Sequence, residues 1–223
     1  MLSPELEQGE GAMSITAILL FPLPSFGYRH AARPILRAAL PDRAEALWQQ
    51  TLRHHEALAR ARQRRYTPGL TLVIRYLEWN AALWRALRDE GVAPSLAGEL
   101  IERISWAIYG PATTLTYRLS RLRSGRLWTR VGFTVDLMFA LFLTRPFQRR
   151  KRAATDAHAF DILGCPLAAW CCEHEVPELT RHAACSLDHR MAQTWGVELQ
   201  RRGTLADGAP LCDFRFQPRS RSR

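Results

Sequence analysis

The sequence predicts an α+β protein, and three observations carry that reading. The first two-thirds is written in helical periodicity, the texture changes at about Ala153, and the last segment alternates as a β-hairpin does. Helices first and strands late imply antiparallel pairing rather than repeated β-α units. We read residues 1–152 as a helical region, 153–217 as a mixed α+β segment and 218–223 as a basic tail.

Taken in order, Arg33 to Arg65 has the alanine, leucine and arginine content of a helix interrupted at Pro41, with Asp42 placed to cap the next segment. After a turn at Tyr66–Gly69, "LTLVIRYLEWNAALWRALRDEG" spaces Leu72, Tyr76, Trp79, Leu83 and Leu87 three or four apart and stops at Gly91. A further helix is predicted from Ser95 to Tyr109, closed by Gly110-Pro111, and a shorter one ends near Gly125. Trp79, Trp84 and Trp106 are read as core. The apolar run from Val131 to Leu143 is too short to span a bilayer and contains Asp136, so it reads as a buried helix. Because "TRPFQRRKR" follows it, residues 131–152 also suit peripheral contact with an anionic membrane surface.

Beyond Ala153 a short strand, Phe160–Leu163, turns at Gly164 into a helix behind Pro166, a residue suited to a first helical turn. A helix from about Pro177 to Trp195 is followed by a hairpin, Val197–Leu205 and Leu211–Gln217, turning around Asp207-Gly208.

The net charge of +10 is almost all arginine, since Lys151 is the only lysine. Its two concentrations, 145–152 and 218–223, lack the interleaved aromatics of a nucleic-acid module, so no nucleic-acid partner is expected. Five cysteines and an acidic "MLSPELEQGEG" start, where a secretory signal needs basic residues, point to a cytoplasmic protein with free thiols. Met13 is a second candidate start, and the "ITAILLF" run after it is too short to cross a membrane.

The stretch from His182 to Phe216 concentrates the chemistry. On a helical wheel Leu179, Ala183, Leu187 and Met191 form one apolar seam and Cys185, Ala192 and Trp195 a second, with Asp188 between them. A buried carboxylate is costly unless paired, so Asp188 is expected to have a partner, to cap backbone, or to be held protonated for chemistry. His182, Cys185 and His189 line a neighbouring edge. In the last strand Cys212, Phe214 and Phe216 share the inward face, with Asp213 and Arg215 opposite. Cys165 sits where amides at a helix start would lower a thiol pKa. Three cysteines with Asp188 and the nearby histidines leave a zinc or iron site open, although Cys171 and Cys172 are adjacent rather than spaced as in structural zinc sites. No Walker loop, dinucleotide fingerprint or zincin motif is present in the sequence.

In order, "CPLA" at Cys165–Ala168, "PEL" at Pro177–Leu179, "CSLD" at Cys185–Asp188, an arginine three residues before "TLADG" at Thr204–Gly208, and "CDFRF" at Cys212–Phe216 resemble the L-2-amino-thiazoline-4-carboxylic acid hydrolase family. The resemblance implies a small-molecule substrate and ring opening of a cyclic amidine to an N-carbamoyl amino acid. Such chemistry needs a group to activate water or act as nucleophile, an acid for the leaving thiolate and a cation for the carboxylate. For that reaction the catalytic candidates are Asp188, as general base or the orienter of one, and Cys185 or Cys165, as nucleophile or acid; Arg215 or Arg201 would hold the carboxylate, with Cys212 and His189 as further substrate-binding candidates. More loosely, a cysteine-bearing helix followed by a hairpin ending in Cys-x-Phe resembles small-molecule-binding domains of 4-vinyl reductase type, which need no turnover.

Overall fold

The segment with the most regular apolar spacing, Pro68–Asp89 (α4), forms the axis of the helical part, and nearly every residue from Tyr76 to Leu87 is buried. A helix apolar on most of its circumference must be wrapped by others. Ile15–Leu20 (α1), Pro24–Ala39 (α2), Ala44–Arg60 (α3) and Pro94–Leu119 (α5) provide that wrapping. A computed structural model describes residues 15–62, 66–155 and 157–219; Met13 and most of the basic tail lie outside the described residues. The polar groups inside are paired: Tyr28 donates to the Asn80 side-chain carbonyl at 2.9 Å, and Asn80 donates to Ser105 at 3.0 Å.

Two expectations are corrected in this region. Asp42 does not cap α3; the residue before the helix is Arg43, with no side-chain cap, because Asp42 falls in the preceding turn. The helix expected to stop at Gly110-Pro111 runs through them to Leu119. Pro111 removes one backbone hydrogen bond. Gly110 lets the Trp106 indole lie so close that a Cβ there would meet it at 2.8 Å, and the burial of Thr113 and Tyr117 beyond the proline outweighs the lost bond. The Tyr117 hydroxyl is fixed to the Trp195 carbonyl at 2.7 Å, tying the end of α5 to the C-terminal segment.

The apolar run 131–143 lies within and just after Leu127–Leu141 (α6), where Val131, Thr134 and Val135 are buried. Asp136 on this helix pairs with Arg149 and Lys151. No helix among the described residues is long and apolar enough to cross a membrane. The basic stretch Gln148–Arg152 (β1) is an edge strand, where charged side chains discourage pairing with other chains.

His158–Gly164 (β2) extends the expected strand on both sides, and Pro166–Glu173 (α7) follows it. Then come Ser186–Thr194 (α8), Val197–Gln200 (β3) and Cys212–Pro218 (β4). The sheet is antiparallel throughout in the order β1-β2-β4-β3. Phe160 lies opposite Phe214 and Ile162 opposite Cys212, so period two carries these side chains to one face. β3 is shorter than the predicted arm because the Asp213 carboxylate takes the backbone N–H groups of Arg202 and Gly203, drawing the chain off the ladder. A 3₁₀ turn at Leu205–Asp207 and Gly208, at φ +82°, then reverse it.

Two cores result. One lies among the helices with α7. The other lies between the inner face of the sheet and α5, α6 and α8, and Phe147 and Cys165 border both.

Candidate functional site

Between the two cores lies a cavity of about 210 Å³. Its polar end is assembled from three places in the chain. The helix predicted from Pro177 begins with a π-type turn, Arg181–Cys185, in which the Ser186 N–H reaches the Arg181 carbonyl, and continues as α8. One wide turn of this kind offsets the helix faces before and after it and often marks functional sites. Here it lies immediately before Asp188, and Thr180, Ala184, Cys185, Leu187, Asp188 and Met191 all line the cavity. Cys165 comes from the β2–α7 junction, and Arg201 and Cys212 from the end of β3 and the start of β4.

Asp188 has the partner its position demanded. Arg201 Nη1 donates to Asp188 Oδ2 at 2.7 Å, Arg201 Nη2 donates to the Cys185 carbonyl at 3.1 Å, and the guanidinium lies 5.1 Å from the Phe214 ring centroid. The Arg201 side chain is only 7% exposed, so this ion pair is largely removed from water. Burial pushes the Asp188 carboxyl up from 3.8 to about 6, with Arg201 pulling in the opposite direction.

The thiols respond the same way. Burial raises Cys165 to about 11 and drives Cys185 further up, and Cys212 is also raised. The amide effect anticipated at Cys165 exists, since the Ala168 N–H points at its sulfur from 3.5 Å, but desolvation overrides it. These three thiols are therefore protonated at neutral pH, which disfavours attack as thiolates. Among the described residues no group of three or more His, Cys, Asp or Glu side chains is placed to hold a metal ion.

The structure thus brings Asp188, Cys185, Cys165, Arg201 and Cys212 to one cavity and places two other candidates elsewhere. Arg215 lies on the outer face of the sheet, where it joins Arg150 and Arg152 on the buried Asp161 carboxylate. Burial works to raise the Asp161 pKa, yet the hydrogen bonds from these three arginines hold it well below the ordinary range. His189 is exposed and outside the cavity lining, and its pKa is lowered by desolvation and then by the Arg201 charge. His182 stacks on Trp84 and packs against Gly98, where any Cβ would meet the imidazole at about 2.4 Å.

Sequence reasoning did not anticipate the rest of the wall. Trp195 lines the cavity, and its indole N–H is buried without a hydrogen-bond partner among the described residues. Phe21, Phe139, Phe142 and Phe147 also line it. The one available signal was the density of phenylalanine between 133 and 147, which reads as a buried helix or a membrane-surface segment and not as a cavity wall.

Residues 130–216, from within α6 to β4, match the family described as L-2-amino-thiazoline-4-carboxylic acid hydrolase. The resemblance drawn from the C-terminal motifs is borne out over that segment, which contributes every charged group in the cavity wall. No curated protein matches the chain.

Proposed function

We propose that the protein is a hydrolase that opens a small cyclic amidine of the 2-amino-thiazoline-4-carboxylate type to an N-carbamoyl amino acid. The observation that carries this reading is the Asp188–Arg201 pair, facing protonated thiols at the end of an apolar cavity. With a pKa near 6, Asp188 is ionised at neutral pH yet basic enough to take a proton from water. Arg201 orients that carboxylate and, having N–H groups beyond those it already uses, can also hold a substrate oxygen.

In the reaction, water oxygen adds to the ring carbon between nitrogen and sulfur as Asp188 removes one of its protons. The carbon–sulfur bond breaks and the electron pair leaves on sulfur, which takes a proton from the Cys185 or Cys165 thiol. The ring nitrogen takes the electron pair of the carbon–nitrogen double bond when water adds and, as the carbonyl forms, receives the second water proton from the hydroxyl; the donor thiol recovers its proton from Asp188. At balance, water oxygen is on carbon, one proton is on the ring nitrogen and one is on sulfur.

The test is conversion of 2-amino-thiazoline-4-carboxylate by the purified protein. Mass spectrometry would follow a product heavier by one water, and a thiol reagent would follow the released sulfur. Wild-type conversion no faster than buffer defeats the proposal, and full turnover by Asp188→Asn removes Asp188 from its role.

A further inference from the structure

The cavity is far more apolar than a small zwitterionic ring requires. Among the described residues Asp188 and Arg201 are the only charged ones lining it, and they neutralise each other. From Arg201 a relay of rings leads away: Phe214 at 5.1 Å from the guanidinium, Phe160 at 4.7 Å from Phe214, Phe139 at 5.8 Å from Phe160, and Phe147 at 6.0 Å from Phe139. Another part of the wall is made by Phe21 and Phe142, whose centroids are 5.6 Å apart, with Tyr109 against Phe21.

Three of the polar residues along this wall, Thr113, Thr116 and Asn80, are already engaged. The Thr113 and Thr116 hydroxyls donate to the Tyr109 and Ala112 carbonyls of their own helix, and the Asn80 amide is held between Tyr28 and Ser105. Thr113 and Thr116 therefore leave mainly their methyl groups for an occupant. An apolar cavity of roughly 150 Å³ stays dry and accommodates benzene. A five-membered ring at the polar end of about 210 Å³ would thus leave apolar space that water does not favour filling.

We propose that the cavity takes an amphipathic molecule, with a compact head, neutral overall, at Asp188–Arg201 and an apolar tail of several carbons along the Phe160–Phe139–Phe147 wall. The Trp195 indole N–H is a spare donor on the cavity wall. A zwitterionic cyclic amidine carboxylate and a primary amide both satisfy the charge requirement. The proposal rests on the hydrolase reading only for the chemistry of the head, and the tail stands on the wall itself.

The experiment uses the full chain and a non-hydrolysable series of primary amides: acetamide, butanamide, hexanamide and octanamide. Binding is read from the fluorescence of Trp106 and Trp195, which line the cavity, and from the shift in melting temperature. Affinity is expected to tighten by about fourfold per added methylene until the tail space is filled. In Ala112→Phe, which adds a ring to the α5 wall, the plateau should arrive at a shorter chain. Equal affinity for acetamide and octanamide overturns the proposal, as does an unchanged series in an Ala112→Phe protein that still melts cooperatively. A steep series without turnover of thiazolines supports the tail and refutes the hydrolase. Turnover with a flat series does the reverse.

Discussion

Replacing Arg201 by methionine tests the energetic centre of the site without needing a substrate. Asp188 rises from 3.8 to about 6 even with Arg201 beside it. At about 1.4 kcal/mol per pH unit, keeping it ionised in the fold therefore costs about 3 kcal/mol. Methionine approximates the length of arginine but removes both the charge and the bond to Asp188 Oδ2. Burial then acts unopposed, and the carboxyl takes a proton near neutral pH. Breaking a buried pair by deleting one partner costs about 3–5 kcal/mol, whereas exchanging both partners for apolar groups is often neutral. Arg201→Met should therefore lower the melting temperature by roughly 6–20 °C in a chain of this size, and Asp188→Leu/Arg201→Met should recover most of that loss.

The assay is urea unfolding of wild type, both single variants and the double at pH 7 and pH 5. The sign follows from the direction of the shift. A carboxyl with a folded pKa above its unfolded value makes the native state bind more protons, so stability falls as pH rises through that window. In wild type the window lies between about pH 4 and 6; in Arg201→Met it extends higher, so moving from pH 7 to pH 5 should restore stability. Additive single-variant effects with no recovery at pH 5 would refute the idea of a desolvated, mutually dependent pair.

Other consequences follow from single contacts. In a thiol-labelling time course, Cys172, the one exposed cysteine, should be modified first, with Cys165, Cys171, Cys185 and Cys212 lagging; early labelling of Cys185, read by peptide mass mapping, would contradict its raised pKa. Tyr117→Phe leaves the Trp195 carbonyl without its donor and should cost about 1–3 kcal/mol in urea unfolding. Asp161→Asn should destabilise by roughly 1.5–3 kcal/mol through loss of charged hydrogen bonds to Arg150, Arg152 and Arg215. Because its folded pKa is depressed, the stability Asp161 contributes should be present above about pH 4 and disappear as pH falls; an acid-unfolding profile identical in Asp161→Asn and wild type would show that the carboxylate is not held by those arginines. Finally, if Asp188 is the base, the pH–rate profile for ring opening should rise toward a plateau through about pH 6, and a limb near pH 4 would assign the proton transfer to another group.

The parts of this fold that were legible are those where one period dominates. The stripe in α4 and the alternation of Cys212, Phe214 and Phe216 each follow from a single repeat and match the structure. Asp188 was singled out because a carboxylate on an apolar stripe needs an explanation, and its burial against Arg201 supplies one. The misreadings came from signals that long-range packing overrides. Pro111 reads as a helix end locally, but the far half of α5 is held by the Tyr117 bond to Trp195, 78 residues away in sequence. The π turn has no sequence signature, since it is set by how 181–185 fits against α5. Cys165 kept the expected amide at its sulfur and still shifted the other way, because a weak N–H contact cannot offset desolvation.

The same burial assigns different roles to groups that sequence alone leaves interchangeable. A thiol and a carboxylate moved into one apolar cavity both lose stabilisation of their charged forms, so both pKa values rise. The carboxylate starts low and arrives near 6; the thiols start higher and arrive at 11 or beyond. At neutral pH the result is one proton acceptor beside several proton donors, without any residue having been tuned separately. Arg201 keeps that division stable: without its charge the carboxyl would take up a proton and no ionised base would remain. Its second bond, to the Cys185 carbonyl, ties the Asp188 partner to the π-type turn that carries Cys185. A variant that weakened only that second bond should leave the pH limb in place and lower its plateau, which separates positioning from ionisation.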